Sequence, residues 1–464
     1  MKNIIKQAIR PLVALVFIFH IQGIAFAQNA IYEIPSLDSK KSIVREYLGN
    51  RYIVYNSGST GNSFNLVDLS TLTVKSLDMS VVDVTDFEIY GDYVYFCGNV
   101  SSPLIGWFDI PSAFSGTSQV YFGYLPSLPC SNYPLENDSF LNVKKIEVMN
   151  IGGSIHLLIV GDATCTGATA IQARYFADVF FDGSNWMMEA TLEHSGILYY
   201  DDVAVTDNYV VPVGHKNQAN GEYIYALAKP TAPYFGLFSA NTTFPPTYSI
   251  TLYAYGGFSC YIVDGSSEII IDHIYGDKFA TACYGQCMPS GGSSYVSGTV
   301  FNLYNGVSLV NSRYCVAPYN NIYGDMRYNP HTNSVYLLPG EGSALPNEYL
   351  EFFLDATYTY VPGIQIHRDL TKTKYHSLDA CIKTFGHGQA VLSGNEKKLR
   401  LWRHNPVGEL VCSESYSPSI DIETCGQQNV SNHTYYYDYG NVPIGSFAPT
   451  LINKKITKIC IESE

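Results

Sequence analysis

One short unit recurs along this chain, and its recurrence constrains the fold more than any other feature of the sequence. The unit is an apolar strand, a turn built from Gly, Asn, Asp or His, a second apolar strand and a closing glycine, as in FEIYGDYVYFCGNV from Phe87 to Val100. Turn residues that tolerate positive φ between two β-rich runs predict a β-hairpin. The further copies begin at Leu48, Ile151, Thr206, Tyr275, Pro330 and Phe385.

Two more strand-like runs follow each hairpin. After the copy at Phe87 they are LIGWFDI, from Leu104, and SQVYFGYL, from Ser118. Four antiparallel strands in each repeat of about 40–60 residues are typical of a β-propeller blade. We therefore predict an all-β fold, a β-propeller over residues 28–420 with about seven four-stranded antiparallel blades; six or eight blades fit the same pattern. A sandwich or jelly roll would need far fewer strands, and no amphipathic run of helical length supports an α/β fold.

The repeat pattern ends near Ser419, and residues 421–464 form a separate C-terminal segment. HTYYYDYG and ITKICIES within it have the composition of two strands. This segment either closes the ring by adding a strand to the first blade or packs as a small appendage. Residues 31–47 are the other candidate for closing the ring.

Residues 1–27 have the three parts of a secretory signal peptide. A basic region is followed by an apolar run from Leu12 and by the A-x-A cleavage site Ala25-Phe26-Ala27. We expect cleavage near Ala27 and a mature protein that is secreted, periplasmic or on the cell surface. No later stretch approaches the ~18 consecutive apolar residues that a membrane-spanning helix needs.

The net charge narrows the classes of partner. Signal-peptide cleavage would remove three basic residues (Lys2, Lys6 and Arg10) and no acidic one, which takes the formal net charge from -14 to -17. Nucleic acid is therefore not an expected partner, because its phosphates need clustered Lys and Arg. An acidic surface permits a cationic partner or a bound metal ion.

The chain contains 11 cysteines, which in an exported protein predict some disulfide bonds. The odd number leaves at least one thiol unpaired or bridged to another chain. Cys97, Cys283 and Cys381 lie within apolar runs, where buried thiols are common. We predict a disulfide between Cys425 and Cys460, which would attach the C-terminal segment.

An acidic residue recurs a few positions before most of the hairpin turns. Because the first strand of a blade lines the channel of a propeller, these side chains are expected at one mouth of the channel. One hypothesis is a ring that binds a hard cation such as calcium, or a cationic ligand group. The other is a structural role in which each Asp accepts backbone N–H groups of the loop that enters its strand, as in an Asx turn. The residues are Asp86, Asp202, Asp272, Asp325 and Asp379, with Lys145 and Arg45 near the same position in blades three and one.

The loops that follow the closing glycines are expected on the same face as this channel mouth. They include HKNQANG from His215, YGQCMPSGGSSY from Tyr284 and EGSALPNE from Glu341. Variable loops on a rigid scaffold are where binding usually resides. His215 and Tyr284 are therefore ligand-binding candidates, although solvated connections explain the same sequences.

The export signal, the Tyr-rich blades and the closing segment together resemble the uncharacterised secreted β-propellers of Bacteroidetes-type bacteria. The resemblance covers most of the mature chain and rests on the blade pattern, as in VYFCG, VVPVG and YLLPG. It implies a fold and a compartment. It implies no single activity, because propellers carry many functions.

The sequence has no GxSxG, HExxH, P-loop or EF-hand motif. We therefore expect a non-catalytic protein that binds an extracellular glycan or protein ligand. The alternatives are a glycan-degrading hydrolase or lyase that uses channel-mouth carboxylates, and a structural component of a surface assembly. A deep pocket with convergent carboxylates of raised pKa would favour the enzyme, a shallow aromatic face would favour binding, and an exposed edge in 420–464 would favour assembly.

Overall fold

The structure is a computed structural model, and it describes the chain in segments. The described residues are 30–35, 39–47, 50–57, 63–68, 73–79, 82–100, 102–125, 138–165, 171–192, 199–215, 222–241, 249–250, 253–254, 258–262, 268–288, 296–306, 308–315, 323–329, 333–339, 348–361, 363–368, 375–380, 388–393, 398–403, 412–414, 426–430, 433–437 and 458–460.

The first three blades are four-stranded antiparallel sheets that follow a single N-terminal strand. The N-terminal strand is β1 (Ala30–Pro35). Blade one contains β2 (Ser39–Tyr47), β3 (Asn50–Ser57), β4 (Ser63–Asp68) and β5 (Val74–Asp78). Blade two contains β6 (Asp83–Tyr90), β7 (Tyr93–Asn99), β8 (Pro103–Asp109) and β9 (Val120–Tyr124), with helix α1 (Ile110–Ser115) between its last two strands. Blade three contains β10 (Asp138–Ile151), β11 (Ser154–Cys165), β12 (Ile171–Phe181) and β13 (Trp186–Leu192).

Blades four and five are less regular. Blade four contains β14 (Tyr199–Val205), β15 (Tyr209–His215), β16 (Glu222–Ile224), β17 (Leu227–Ala228) and β18 (Ser249–Ile250), with helix α2 (Leu237–Ala240) before β18. Blade five contains β19 (Tyr253–Ala254), β20 (Phe258–Ile262), β21 (Ile270–Tyr275), β22 (Lys278–Met288), β23 (Val296–Asn305) and β24 (Ser308–Cys315). Both β20 and β21 pair with the long strand β22, so blade five has an additional hairpin, β19–β20.

Blades six and seven and the C-terminal segment complete the described chain. Blade six contains β25 (Tyr323–Asn329), β26 (Ser334–Pro339), β27 (Glu348–Phe353) and β28 (Gly363–Arg368). Blade seven contains β29 (Tyr375–Ala380), β30 (Gly388–Ser393) and β31 (Lys398–Arg403). Strand β32 (Cys412–Glu414) follows blade seven, and the C-terminal segment contains β33 (Gly426–Val430), β34 (His433–Tyr437) and β35 (Lys458–Cys460).

The blades form a closed ring. The innermost strands pack in the order β2, β6, β10, β14, β21, β25 and β29, and β29 returns to β2. The chain is therefore a β-propeller of seven blades, which confirms the predicted fold class. Among the described residues, no helix has the length and apolar character needed to cross a membrane.

The N-terminal strand completes the last blade. Strand β1 pairs antiparallel with β31, from Tyr32 opposite Leu401 to Pro35 opposite Lys398. Without β1, strand β31 would present an unpaired edge of N–H and C=O groups. The ring is thus closed by the N-terminal candidate. Strands β33 and β34 of the C-terminal segment form a hairpin beside β28, and β35 of the same segment pairs with β32, which precedes it.

Apolar side chains fill the space between neighbouring blades. Between blades one and two, the ring of Phe64 lies 5.2 Å from Phe87, 5.4 Å from Phe96 and 5.1 Å from Phe108, centroid to centroid. The turn predicted at Gly91-Asp92 joins β6 to β7, and Gly91 adopts a φ of 58°, which a residue without Cβ tolerates best. These hairpins hold the innermost strands in the positions that line the channel.

Candidate functional site

Four of the predicted channel residues share one register position. Each is the first paired residue after a β-bulge in the innermost strand of its blade, and a bulge redirects the side chains that follow it. The four residues are Asp86, Lys145, Asp202 and Asp325. The recurrence in the sequence therefore reflects a repeated backbone irregularity.

The other predicted positions depart from this register. Asp272 lies before the irregularity of its strand, which falls between His273 and Tyr275. Asp379 lies opposite Ala390, further along β29 than the bulge of that strand. The side chains of Asp379 and Arg45 lie outside the described residues, so their part in the ring stays a prediction.

The channel carboxylates hydrogen-bond to the backbone of the following blade. In three of them, Oδ2 accepts an N–H from the next innermost strand: Asp86 from Ile146 at 3.0 Å, Asp202 from Ile271 at 3.3 Å and Asp272 from Tyr328 at 2.6 Å. Such bonds satisfy backbone donors where two blades meet. These carboxylates thus join adjacent blades. The structural hypothesis expects backbone donors from the loop that enters each strand, whereas these donors belong to the innermost strand of the next blade.

The second carboxylate oxygen bonds closer to its own residue. Oδ1 accepts the N–H of the following residue in Asp202 (2.9 Å, Val203), in Asp272 (3.0 Å, His273) and in Asp325 (3.0 Å, Met326). In Asp202 and Asp272, backbone donors therefore occupy both oxygens. A carboxylate bound in this way is held in place by the fold.

Lys145 supplies a positive charge among these carboxylates. Burial by itself lowers the pKa of Lys145, but Asp202, Asp86 and Asp325 outweigh burial and raise it. The ammonium group is therefore charged at any physiological pH. The ring that the sequence predicts as a cation site already contains a cation of the protein itself.

A second cation links opposite sides of the channel. Arg327 of blade six lies with Nη2 4.0 Å from Oε2 of Glu88 in blade two, and with Nε 3.5 Å from Oδ2 of Asp325. Innermost strands that are far apart around the ring are thus connected electrostatically. We call Asp86, Glu88, Lys145, Asp202, Asp272, Asp325 and Arg327 together the channel cluster.

Two acids of the channel cluster have raised pKa values. Burial raises the pKa of Asp202 to about 6, against the opposing effect of Lys145. Burial likewise raises the pKa of Asp272 to about 7, against the opposing effect of the positive charge of Arg327. The cluster contains five acids and two bases, so partial protonation relieves the repulsion among carboxylates near neutral pH.

The calcium hypothesis gains no support from this geometry. Within the part of the chain that the structure describes, no group of three or more His, Cys, Asp or Glu side chains is arranged to hold a metal ion. A calcium site needs six to eight oxygen ligands. Calcium binding stays a prediction of the sequence.

A second charged network lies where blades three, four and five meet. Arg174 contacts three carboxylates: Nε lies 3.3 Å from Asp162, Nη2 lies 3.0 Å from Glu268, and Nη1 pairs with Asp201. Lys144 lies 3.3 Å from Asp162 and 3.4 Å from Glu268. Burial opposes the ionisation of Arg174 and of Glu268, but these contacts outweigh burial. The pKa of Arg174 is therefore raised and that of Glu268 is lowered.

His215 joins this network at the end of β15. Its Nδ1 lies 2.5 Å from Oδ2 of Asp201, and its ring stacks on Tyr199 with centroids 5.4 Å apart. The guanidinium of Arg174 lies 5.7 Å from the centre of the same Tyr199 ring. The candidate His215 is thus a partly buried member of an ion-pair network. Tyr199, its aromatic neighbour, was not predicted.

Tyr284 is not a surface residue, and its prediction as the start of a ligand-binding loop is wrong. Its side chain is 2% exposed and lies in the core between blades five and six, with Phe301 and Leu350. The reason is the length of β22, which continues to Met288. The sequence suggested that the strand ends at the glycine-rich residues that follow Tyr284.

Exposed aromatic side chains form a separate surface on the outer strands of blades two and three. The rings of Trp107 and Tyr121 stack 5.5 Å apart at 15°, and Trp186 lies 5.5 Å from Trp107. Phe181 lies 5.8 Å from Trp186. Tyr121 is 49%, Trp186 45% and Phe181 38% exposed. We call these four residues the aromatic surface.

A hydrogen-bonded turn positions two of these rings. Phe181 and Trp186 are directly opposite each other across the β12–β13 hairpin. Oδ1 of Asp182 accepts the N–H groups of Ser184 at 2.8 Å and Asn185 at 2.7 Å, and these bonds lower the pKa of Asp182. The turn therefore remains ordered by its own contacts and fixes the two rings relative to each other.

The sequence pattern does not predict this surface, because its residues lie in ordinary strands. Tyr95, Trp107 and Tyr121 are register partners across β7, β8 and β9, so they share one face of blade two. Alternation along a strand places residues on one face but does not say how far that face is covered. The available signal was the pair of aromatic positions in LIGWFDI and SQVYFGYL.

Comparison with known proteins finds likeness among solved structures only. No family model and no curated protein matches the sequence. The β-propeller domain of Cps50 (Swd1) from Myceliophteria thermophila aligns at 8% identity over 81% of this chain and 99% of that domain, with a TM-score of 0.46. YCF48, in a structure described as bound to D1 peptide, aligns at 10% identity over 81% of this chain and 96% of its own, with a TM-score of 0.36. Likeness at these identities concerns the fold alone.

Proposed function

We propose that the protein is an exported, non-catalytic β-propeller that binds an extracellular glycan through the aromatic surface. One observation supports this proposal most directly, namely that the rings of Tyr121, Trp186 and Phe181 are exposed although they are large and adjacent. Exposed clusters of this kind mark interaction sites more often than solvated surface.

The chemistry of the four side chains suits a saccharide. Aromatic faces are electron-rich, and the flat C–H faces of a pyranose ring pack against them. The tyrosine hydroxyl and the indole N–H groups can exchange hydrogen bonds with sugar hydroxyls at the ring edges. None of the four residues is charged, so an uncharged saccharide is the expected ligand class.

The scaffold adds to the expected affinity. Trp107 and Tyr121 lie on paired strands, and Trp186 begins the strand that follows the Asp182 turn. Rings held by strands lose little conformational freedom when a ligand binds, which lowers the entropic cost of association.

Glycan-array binding by the mature protein tests the proposal. We expect selective signals that the variants Trp186→Ala and Tyr121→Ala reduce tenfold or more. Tyr234→Ala is the matched control, because Tyr234 is 56% exposed but belongs to blade four. Equal binding by all four proteins would refute the aromatic surface as the site. A silent array with specific binding to a purified extracellular protein would replace the glycan with a protein ligand.

A glycan-degrading enzyme is the second candidate, because the raised pKa values of Asp202 and Asp272 are of the kind that general acids need. Against it, both oxygens of each carboxylate accept backbone N–H groups. Release of reducing ends or unsaturated products from polysaccharides, abolished in Asp202→Asn or Asp272→Asn, would establish the enzyme. Equal product levels with and without protein would leave the binding proposal as it stands.

A further inference from the structure

Strand pairing brings two pairs of cysteines directly opposite each other. Cys260 on β20 is the register partner of Cys287 on β22. Cys412 on β32 is the register partner of Cys460 on β35. Both pairings are antiparallel. The two cysteine pairs thus share the same arrangement across neighbouring antiparallel strands.

Antiparallel partners lie within the range that a disulfide bond spans. Directly opposite residues have Cα atoms about 5.5 Å apart in a hydrogen-bonded pair and about 4.5 Å apart in a non-hydrogen-bonded pair. Disulfides join Cα atoms about 4.4–6.8 Å apart. Opposite residues also share one face of the sheet. The register therefore places the Cα atoms of each pair within the range that a disulfide bond spans.

Each cysteine pair lies on strands whose pairing a disulfide bond would stabilise. Strand β20 belongs to the additional hairpin of blade five, and it pairs with β22 beyond the part of β22 that β21 occupies. Strands β32 and β35 form a two-stranded sheet with three residue pairs. Isolated two-stranded sheets are marginal in water. A covalent link across a long loop favours the folded arrangement by restricting the unfolded chain.

We infer that the exported protein contains two cystines, Cys260–Cys287 and Cys412–Cys460. This inference rests on the export that the proposed function includes. Four thiols lose four protons and four electrons as two S–S bonds form, and the electrons reduce two disulfides of an exported thiol–disulfide oxidoreductase to dithiols. The register thus favours Cys412, in place of Cys425, as the partner of Cys460. Cys425 itself lies outside the described residues.

Peptide mapping of the full-length protein purified from an export compartment tests the inference. The protein is denatured and alkylated without reduction, digested and analysed by mass spectrometry. We expect linked peptides that contain Cys260 with Cys287 and Cys412 with Cys460, each released by reductant. Cys97 and Cys283 are buried as thiols and should be alkylated in the same sample.

Serine variants provide the controls. Cys260→Ser should leave Cys287 open to alkylation while the Cys412–Cys460 peptide persists, and Cys412→Ser should do the reverse. Cys315→Ser should change neither linked peptide, because the register partner of Cys315 is Thr299. A Cys425–Cys460 peptide in the wild-type protein would overturn the second bond.

The disulfide mapping and the glycan-array experiment test different claims and can fail independently. Exported protein with a cleaved N-terminus and all four cysteines alkylated would overturn the cystines alone. Absence of the protein from the export compartment would instead contradict export and with it the proposed function. The mapping uses no glycan, so a silent glycan array leaves both bonds standing.

Discussion

The channel cluster and the aromatic surface differ in how their chemical groups are used. In the channel cluster, carboxylates accept N–H groups of the next blade and surround Lys145 and Arg327. On the aromatic surface, Tyr121, Trp186 and Phe181 contact neighbouring rings yet remain exposed. The recurring residues thus stabilise the repeat, whereas residues found in only two blades are available to a ligand. Recurrence in a repeat protein indicates structure before it indicates a site.

The largest expected effect is that of removing the ammonium from the channel cluster. Lys145→Met leaves Asp86, Asp202 and Asp325 without their shared counter-charge, and loss of one partner of a buried ionic group costs about 3–5 kcal/mol. Urea unfolding should show this decrease in the free energy of unfolding. Lys75→Met, at an exposed position of β5, is the matched control and should change it little. Equal stability of the two variants would remove the structural reading of the cluster.

Removing one inter-blade hydrogen bond should have a smaller effect. Asp202→Ala leaves the N–H groups of Val203 and Ile271 without their acceptor, at a cost of about 1–3 kcal/mol for an unsatisfied buried group. Asp202→Asn keeps an acceptor and should retain more stability than Asp202→Ala. Denaturant unfolding of both variants measures the difference. Equal stability of the two variants would show that the charge of Asp202, and not its hydrogen bonds, dominates.

On the aromatic surface, binding and stability should separate. Trp186→Ala removes a half-exposed ring, so we expect a tenfold or greater loss of glycan affinity, about 1.4 kcal/mol, with a smaller change in the free energy of unfolding. Titration calorimetry with an array-selected glycan and urea unfolding measure the two quantities. A variant that unfolds as readily as Lys145→Met would place Trp186 among the structural residues.

The channel acids should also make stability depend on pH. The folded pKa values of Asp202 and Asp272, about 6 and about 7, lie above the ordinary value of 3.8. The folded state therefore binds more protons than the unfolded state in this window, and the free energy of unfolding should fall as the pH rises from about 4 to 7, by about 1.4 kcal/mol for each pKa unit at most. The double variant Asp202→Asn, Asp272→Asn should flatten this slope in urea titrations at several pH values. The same slope in the wild type and in the double variant would contradict the raised pKa values.

The smallest expected effect is that of a chelator. Because Lys145 and Arg327 already provide positive charge in the channel, EDTA should leave the Tm unchanged. Differential scanning calorimetry with and without EDTA, followed by calcium addition, measures this. A Tm lowered by EDTA and restored by calcium would revive the cation site that the carboxylate ring first suggested.

The local part of the fold could be predicted from the sequence, and the long-range part could not. Turn residues such as Gly91 and the apolar runs on either side determine each hairpin, so seven copies gave seven blades. The pairing of β1 with β31 joins strands from the two ends of the propeller sequence, and no local sequence pattern predicts it. The additional β19–β20 hairpin of blade five was missed for the same reason.

The candidate site was predictable only in part. The position of Asp86, Asp202 and Asp325 appears in the sequence because a bulge repeats with the blade. Lys145 was predicted at the same position, whereas the approach of Arg327 to Glu88 depends on the curvature of the ring, which brings side chains of non-adjacent blades together. Tyr284 and Tyr121 show that the burial of a strand residue is not predictable from the strand pattern. Both are strand tyrosines, but one lies in the core and the other is exposed, and only the packing of the neighbouring blade decides which.

Closure of the ring by β1 imposes an order on folding. Strand β1 is synthesised first and its partner β31 only after six blades, so the sheet of blade seven cannot be completed until nearly the whole chain has emerged. Contacts between residues so distant in sequence form slowly. Until they form, the unpaired strand edges expose the chain to aggregation. Strand β1 therefore remains unpaired longest, and its docking is the step that converts an open row of blades into a closed ring.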